Sequence, residues 1–197
     1  IKGKAAGKPV YELMGGTPRP LPVYLSTGEV HSPEQRVDEL LAMMERGYRT
    51  AKLRVKSRYL HEDIRQIEGV GKGIGEDFAL GVDANQGWLV SIVDRIPAWD
   101  LERATEFAAA CADNGISWLE EPLDWHDYDG LAELRRRMTT LKIAGCELNA
   151  GWQEAKIFLE KGSFDIYQPD ATFCGGLATS KLISEACVEQ GLCFRHI

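Results

Sequence analysis

Residues 142–170 read KIAGCELNAGWQEAKIFLEKGSFDIYQPD, and this stretch indicates how the chain folds. It opens with a short apolar run (142–147) and closes with another (165–170). Between them, residues 152–161 have the pattern of a helix that stops at Gly162, since glycine commonly ends helices. A strand, a helix and a second strand in this order predict two parallel strands joined by a right-handed crossover.

The same pattern extends to both sides of this unit. Several of the runs are apolar without clean alternation, which is typical of strands buried on both faces of a parallel sheet. The seven runs cover residues 22–27, 50–55, 78–84, 117–121, 142–147, 165–170 and 193–197. Between them, Ser32-Pro33 and Asp100 predict helix starts, and the stretches 131–138 and 177–190 predict two further helices.

Seven strands alternating with helices predict an α/β fold, a (β/α) TIM-type barrel with about seven of its eight units in this chain. A doubly wound sheet is the alternative. No G-x-G-x-x-G follows the first strand, however, and Gly71-Lys72-Gly73 lies late in a helical stretch. We expect residues 1–20 to lead into the barrel and residues 21–197 to form it, truncated before the eighth strand. The chain starts at Ile1 rather than Met, so we expect further sequence to lie outside it.

The composition restricts the classes of partner. The 197 residues are 44% hydrophobic and 27% charged, and the net charge is −7. Such an acidic chain offers no electrostatic reason to bind nucleic acid or a membrane surface. No apolar run approaches the roughly 20 residues that span a bilayer, and no signal peptide is visible. Five cysteines without a C-x-x-C pair predict free thiols and a cytoplasmic location.

Five consecutive strands end in an ionisable residue. These residues are Asp83, Glu120, Glu147, Asp170 and His196, each about one βα unit from the next. Barrel enzymes carry their catalytic groups at the C-terminal ends of the strands. We therefore expect the five side chains to converge at one mouth of the barrel.

The three carboxylates Asp83, Glu120 and Glu147 would repel one another in a partly buried site, and a cation would relieve that repulsion. A ligand set of oxygens without His or Cys suits a hard ion, above all one Mg²⁺ per site. The competing interpretation is that each acid caps a helix or pairs with a surface base, as single acids usually do. Three acids at matching positions on neighbouring strands favour the metal site.

Asp170 and His196 end adjacent strands. A carboxylate beside an imidazole orients the ring and raises its basicity, which suits a general base. The competing interpretation is an ordinary surface histidine near the end of the chain. We expect His61, at a helix start, and His126, in a loop, to be solvated.

Taken together, the strand ends resemble the mandelate racemase branch of the enolase superfamily. The resemblance rests on Lys52-Leu53-Arg54, Asp83-Ala84-Asn85-Gln86, Trp118-Leu119-Glu120-Glu121-Pro122, Glu147, Gln168-Pro169-Asp170 with Gly175-Gly176, His196, and the opening IKGKAAGKPVYELMGG. It covers essentially the whole chain, and the set is specific although each piece alone is weak. It implies an enolase C-terminal-domain-like barrel that binds Mg²⁺ through Asp83, Glu120 and Glu147, with the substrate carboxylate on the metal.

The resemblance also implies roles for the neighbouring residues. His196, supported by Asp170, is the expected proton-transfer base. Lys52 is expected to face the substrate carboxylate, and Asn85 is expected near metal and substrate. Glu121 is expected to support the site without binding the ion, because the family's ligand is the first Glu of this pair.

Arg54 stands where the family usually has a second lysine. A guanidinium stays protonated and is a poor base, so Arg54 would contact substrate without removing its proton. Lys56 is the alternative residue, but the interval from Lys52 to Asp83 fits the family register better. One-base chemistry with His196 follows: removal of the proton α to a carboxylate through an enediolate, followed by loss of the β-hydroxyl.

The leading hypothesis is therefore Mg-dependent dehydration of a sugar acid. A racemase or epimerase is the alternative if Lys52 is a second base, and a non-catalytic metal-binding homologue is the alternative from another class. A muconate-type cycloisomerase fits less well, since it relies on second-strand lysines. The family's capping domain and its acidic residue on the eighth strand are absent from this chain, so the sequence does not name the substrate. We expect a small-molecule carboxylate as partner and a homo-oligomer.

Overall fold

The computed structural model describes residues 1–87 and 97–195. Its strands are β1 Leu25–Ser26, β2 Thr50–Arg54, β3 Ala79–Asp83, β4 Trp118–Glu120, β5 Lys142–Gly145, β6 Ile166–Tyr167 and β7 Cys193–Phe194. Its helices are α1 Lys2–Ala6, α2 Val10–Leu13, α3 Pro33–Glu45, α4 Leu60–Ile74, α5 Leu101–Asp113, α6 Tyr128–Arg137, α7 Trp152–Lys161 and α8 Leu177–Glu189. Each of the seven predicted runs contains one strand.

Every strand pairs in parallel with the next one along the chain, so the order in the sheet is β1-β2-β3-β4-β5-β6-β7. A helix lies between each strand and the next. This sequential order confirms the predicted incomplete (β/α) barrel and rules out a doubly wound sheet, in which the strand order reverses. The predicted runs are longer than the strands because they include flanking residues that are not paired in the sheet, such as residues 22–24 before β1 and Cys146-Glu147 after β5.

The helix boundaries follow the local sequence signals. At the start of α3, the Gln35 N–H donates to Ser32 Oγ at 3.3 Å and the Ser32 N–H donates to the Gln35 side chain at 3.2 Å, a reciprocal capping box. Asp100 caps α5 by accepting from the Arg103 N–H at 2.9 Å. At the other end of a helix, α7 stops at Gly162 in the left-handed conformation. A side-chain N-cap such as Ser32 or Asp100 stabilises its helix by about 1 kcal/mol.

The strands place two different rows of residues on their two faces. Leu53, Val82, Leu119 and Ile143 are register partners on β2 to β5, and all are buried in one apolar cluster with residues of the helices. We call these four residues the outer row. Side chains alternate along a strand, so the next residues point to the opposite face. Those residues are Arg54, Asp83, Glu120 and Ala144, which we call the inner row.

An aromatic layer lies beside the inner row on the same face. Trp118 is the register partner of Gly81, and a Cβ added at Gly81 would lie 2.1 Å from the Trp118 indole. The indole therefore rests on the bare backbone of β3. Its ring contacts Tyr24 edge to face, with 5.4 Å between the ring centroids. Only glycine at position 81 leaves room for this arrangement.

Two predictions about the whole chain can be compared with the structure. All five cysteines are free thiols, as predicted, and four of them are buried. Within residues 1–87 and 97–195, no helix has both the length and the apolar character needed to cross a bilayer.

Candidate active site

Four acids lie at the ends of three adjacent strands. Asp83 and Glu120 are the last residues of β3 and β4 and face each other in register. Glu121 follows directly, and Glu147 lies just after β5. The side chains of Asp83 and Glu120 are only 1% and 0% exposed, and Glu147 is half-buried. We refer to these four residues as the acid cluster.

Two basic side chains from β2 reach into the acid cluster. The Lys52 ammonium forms ion pairs with Glu120 Oε1 and with Asp83 Oδ2, the latter at 3.1 Å. Arg54 also bonds Asp83 Oδ2 at 3.1 Å, and its Nε donates to the Thr27 carbonyl at 2.8 Å. Lys52 and Arg54 are two residues apart, so both point to the inner face.

Burial and charge act together on the ionisation of these groups. Burial raises the pKa of Glu120, the Asp83 charge raises it further, and Lys52 opposes both. Burial likewise raises the pKa of Glu147, while the Lys52 charge lowers it and the Asp83 charge raises it. Burial lowers the pKa of Lys52, but Asp83 and Glu120 outweigh that effect and the net shift is upward. The pKa values of Glu120, Glu147 and Lys52 are thus set by burial together with the neighbouring charges.

Glu121 is the most constrained of the acids. Its side chain is buried, and its Oε2 has no hydrogen-bond partner among the described residues. Burial, then the charges of Asp83, Glu147 and Glu120, raise the pKa of Glu121 to about 8. A Cβ at Gly87 would lie 2.5 Å from the Glu121 carboxyl carbon, so the glycine makes room for the acid. The supporting role predicted for Glu121 stays a prediction.

A residue with left-handed backbone conformation follows each of the strands β3, β4 and β5. Among the described residues, Asn85, Glu121 and Cys146 are the non-glycine residues with positive φ, at 48°, 46° and 83°. Each lies within two residues of a predicted metal ligand. This conformation costs about 1–3 kcal/mol per residue and concentrates at functional sites. Only Asn85 could have been suspected from sequence, because asparagine tolerates this region better than Glu or Cys.

The structure distinguishes Arg54 from Lys56, the alternative left open by the sequence. Arg54 NH1 donates to Asn85 Oδ1, and the Asn85 N–H donates to Asp83 Oδ1 at 2.9 Å. Lys56 is exposed beyond the end of β2 and lines a separate surface cavity of about 320 Å³. Arg54, and not Lys56, therefore occupies the second basic position of the site.

Asp170 lies near the acid cluster, after β6. Its Oδ1 accepts from the Thr172 N–H at 2.6 Å and from the Thr172 hydroxyl at 2.7 Å, and these bonds lower its pKa. The Asp170 N–H donates to the Glu147 carbonyl at 3.2 Å, which ties the two strand ends together. His196 lies outside the described residues, so the predicted Asp170–His196 pair stays a prediction. Among the other histidines, His61 and His126 are exposed as predicted.

Two residues that the sequence reasoning left without a role contact Glu120. Trp118 Nε1 donates to Glu120 Oε2 at 3.3 Å, and Gln168 Nε2 donates to the same oxygen at 3.2 Å. The spacing of two residues between Trp118 and Glu120 could have placed them on one face. The contact between Gln168 and Glu120 spans two non-adjacent strands and has no signal in the sequence.

The donor atoms of the acid cluster suit a metal ion better than their arrangement in this structure does. In the described part of the chain, no three His, Cys, Asp or Glu side chains are arranged to hold one, and the Lys52 ammonium lies between Asp83 and Glu120 instead. The donor atoms nevertheless suit a hard cation, since all are oxygens. The acid cluster also exceeds Lys52 and Arg54 by two formal charges. The oxygen donors and the excess negative charge therefore suit one divalent ion.

Comparison with known proteins agrees with the fold of the chain. The enolase C-terminal domain-like family matches residues 35–195. The L-talarate/galactarate dehydratase of Salmonella typhimurium is 31% identical over 193 residues, covering 97% of this chain and 46% of the relative. The N-succinyl-L-Arg/Lys racemase of Bacillus cereus is 29% identical over 180 residues, covering 90% and 45%. The chain thus spans about half the length of the curated relatives it matches.

A solved structure extends the similarity to three dimensions. The L-talarate/galactarate dehydratase from Salmonella typhimurium, liganded with Mg and L-lyxarohydroxamate, superposes with a TM-score of 0.85 at 28% identity. The match covers all of this chain and 48% of that one. The relatives thus include sugar-acid dehydratases and racemases on the same architecture.

Proposed function

The chain belongs to the enolase C-terminal domain-like family, and we propose that the protein carrying it is a Mg²⁺-dependent sugar-acid dehydratase. The reaction would start with removal of the proton α to a carboxylate. The observation that supports this most directly is the buried acid cluster at the ends of β3, β4 and β5, facing Lys52 and Arg54. Dehydratases among the relatives support the reaction class.

Asp83, Glu120 and Glu147 are the proposed ligands of the ion. Their oxygens come from adjacent strands, and burial in the barrel interior penalises their unneutralised charge. When bound, the ion would supply Lewis-acid stabilisation of the negative charge that develops on the substrate carboxylate.

The basic residues complete the electrostatics. Lys52 is buried and positively charged beside the ligands, so it can hold the substrate carboxylate as the second negative charge forms. Arg54 is fixed by Thr27, Asp83 and Asn85 and stays protonated at any working pH. Arg54 can therefore attract substrate oxygens but cannot remove a proton from the face opposite His196.

His196 is the proposed base. It would take the proton from the α-carbon and return it to the departing β-hydroxyl, which leaves as water. Thr172 holds one oxygen of Asp170, so the carboxylate is ionised and oriented before any ring contacts its other oxygen. An oriented carboxylate of this kind is what a histidine base requires.

A racemase or epimerase is the second candidate. The similarity to a racemase and to a dipeptide epimerase favours it, and Lys52 is the residue that would act opposite His196. Arg54 in the place of a second lysine on β2 favours the dehydratase, since a guanidinium is a poor base. A non-catalytic metal-binding homologue is less consistent with a complete acid cluster.

The whole protein is proposed to be larger than this chain. Residues 1–20 would lead into the barrel and residues 21–197 would form most of it, while the eighth strand and a capping domain come from elsewhere in the polypeptide. Large apolar side chains near both ends of the chain support this, because Leu21, Val23 and Val188 are 67%, 68% and 73% exposed. We further propose a cytoplasmic homo-oligomer that acts on a small carboxylate.

The test uses the full-length protein, Mg²⁺ and a library of sugar acids. We expect 2-keto-3-deoxy products, and in D₂O we expect exchange of the substrate α-proton. His196→Asn should abolish both, whereas the exposed His126→Asn should abolish neither. Inversion at the α-carbon without release of water would instead make the protein an epimerase. Near wild-type exchange in His196→Asn would mean that another group, first of all Lys52, is the base.

A further inference from the structure

The two oxygens of Glu120 are bonded in different ways. Oε2 accepts two neutral N–H donors, from Trp118 at 3.3 Å and from Gln168 at 3.2 Å. Oε1 accepts the Lys52 ammonium, which is the cation of the site in this structure. The carboxylate therefore presents one oxygen to positive charge while the other is held by fixed donors.

Both donors are anchored by the sheet. The Trp118 indole rests on Gly81 and against Tyr24, so its N–H cannot swing away without losing that packing. Gln168 is 2% exposed, and its backbone N–H donates to the Gly145 carbonyl at 2.9 Å. In the described part of the chain, the carbonyl oxygen of its side-chain amide is buried without a partner. The bond to Glu120 is thus the polar contact that holds this amide.

We propose that Trp118 and Gln168 are positioning residues that reserve Oε1 of Glu120 for the cation and make Glu120 a one-oxygen ligand. The inference rests on the proposed function, in which Glu120 binds Mg²⁺. Rotation of the carboxylate to present both oxygens would break the two hydrogen bonds to Oε2. The barrel interior would then be left with two unpaired N–H donors, which is costly in a buried site.

A one-oxygen ligand affects which ion is bound. Mg²⁺ is small and requires nearly octahedral geometry, whereas Ca²⁺ accepts more oxygens and carboxylates that bind through both. Fixing Oε2 therefore favours Mg²⁺ over Ca²⁺. Removing either donor lets the carboxylate rotate, and the advantage of Mg²⁺ should shrink.

The experiment measures Mg²⁺ and Ca²⁺ affinities of the full-length protein by calorimetry. Gln168→Met keeps the size of the side chain and removes its donor, and Trp118→Phe keeps an aromatic ring on Gly81 without the indole N–H. We expect each to weaken Mg²⁺ binding by about 10-fold or more, as is usual when a partner of a metal ligand is lost. Ca²⁺ binding should change by less, so the ratio of the two affinities should shift toward Ca²⁺. Gln66→Met, at a buried glutamine on α4, is the matched control and should leave both affinities unchanged.

Three results would count against the inference in different ways. Equal weakening of both ions would mean that the two residues only support the fold. Unchanged Mg²⁺ affinity in both variants would mean that the hydrogen bonds to Glu120 Oε2 do not affect how Glu120 binds the ion. A wild-type protein that binds neither ion would overturn the proposed function itself, and the positioning role with it.

Discussion

Burial has opposite effects on the free energy of folding for the two rows of strand residues. The outer row consists of Leu53, Val82, Leu119 and Ile143, and the inner row lies one residue later on each strand. Burying an aliphatic side chain of the outer row stabilises the fold by about 1.5–3 kcal/mol. Burying a charge of the inner row costs several kcal/mol, and its ion pairs only offset that cost. Stability therefore resides mainly on the helix side of the sheet, while the inner side keeps the charges of the proposed site.

The largest expected effect is on activity, at the inner row. Glu120→Gln removes a proposed metal ligand while keeping its size, so we expect kcat/KM to fall by about 10³-fold, several kcal/mol at the transition state. The free energy of unfolding in urea should change much less. Glu106→Gln, at an exposed glutamate on α5, is the control and should retain full activity. If Glu120→Gln instead lowered stability and left the activity of the folded molecules unchanged, the inner row would contribute to stability rather than to activity.

Leu119→Ala tests the outer row one residue earlier on the same strand. Leu119 is 0% exposed, so the cavity left behind should lower the free energy of unfolding by about 2–5 kcal/mol. Mg²⁺ affinity of the folded protein should stay within a few-fold of the wild type. Leu41→Ala removes the same atoms from a side chain that is exposed on α3, and it should cost far less. Equal costs at both positions would show that the outer row does not carry the stability.

Gly81→Ala tests the contact between β3 and the Trp118 indole on the inner face. The new Cβ would overlap the Trp118 indole, so Trp118 must move, and such overpacking costs about 1–3 kcal/mol. Thermal unfolding measures the cost. At Gly71, within α4, a Cβ would make only an ordinary van der Waals contact, 3.9 Å from the Asn114 carbonyl oxygen. Gly71→Ala should therefore be neutral or stabilising, and a similar destabilisation by both would contradict the overlap.

The strands and the strand-end residues could be predicted because their signals are local. An apolar run such as 78–84 predicts a strand. Asp83 lies at the end of that strand, and the strands of a (β/α) barrel all end at the same mouth. The contact between Gln168 and Glu120 could not be predicted, because it depends on how far the sheet curves between β4 and β6. The left-handed turn at Cys146 was also hidden, because cysteine has no preference for that backbone region. Arg54 could be predicted to share the face of Lys52 because side chains alternate along a strand.

The most gradual expected effect, spread over several pH units, concerns Glu121, a buried acid with an oxygen that has no partner in the described residues. Burial raises its pKa from the ordinary 4.5 to about 8. Between these two values the unfolded chain has released the proton while the folded protein keeps it. Folding therefore binds a proton in this window, and the free energy of unfolding of the metal-free protein should fall as pH rises, by up to about 1.4 kcal/mol per unit.

Glu121→Gln removes the titrating group, so its plot of unfolding free energy against pH should be flatter than that of the wild type by this slope. Urea unfolding between about pH 5 and 8 measures both profiles, with Glu106→Gln as a control that should follow the wild type. Parallel profiles for the wild type and Glu121→Gln would mean that the Glu121 carboxyl ionises as freely in the folded protein as in water.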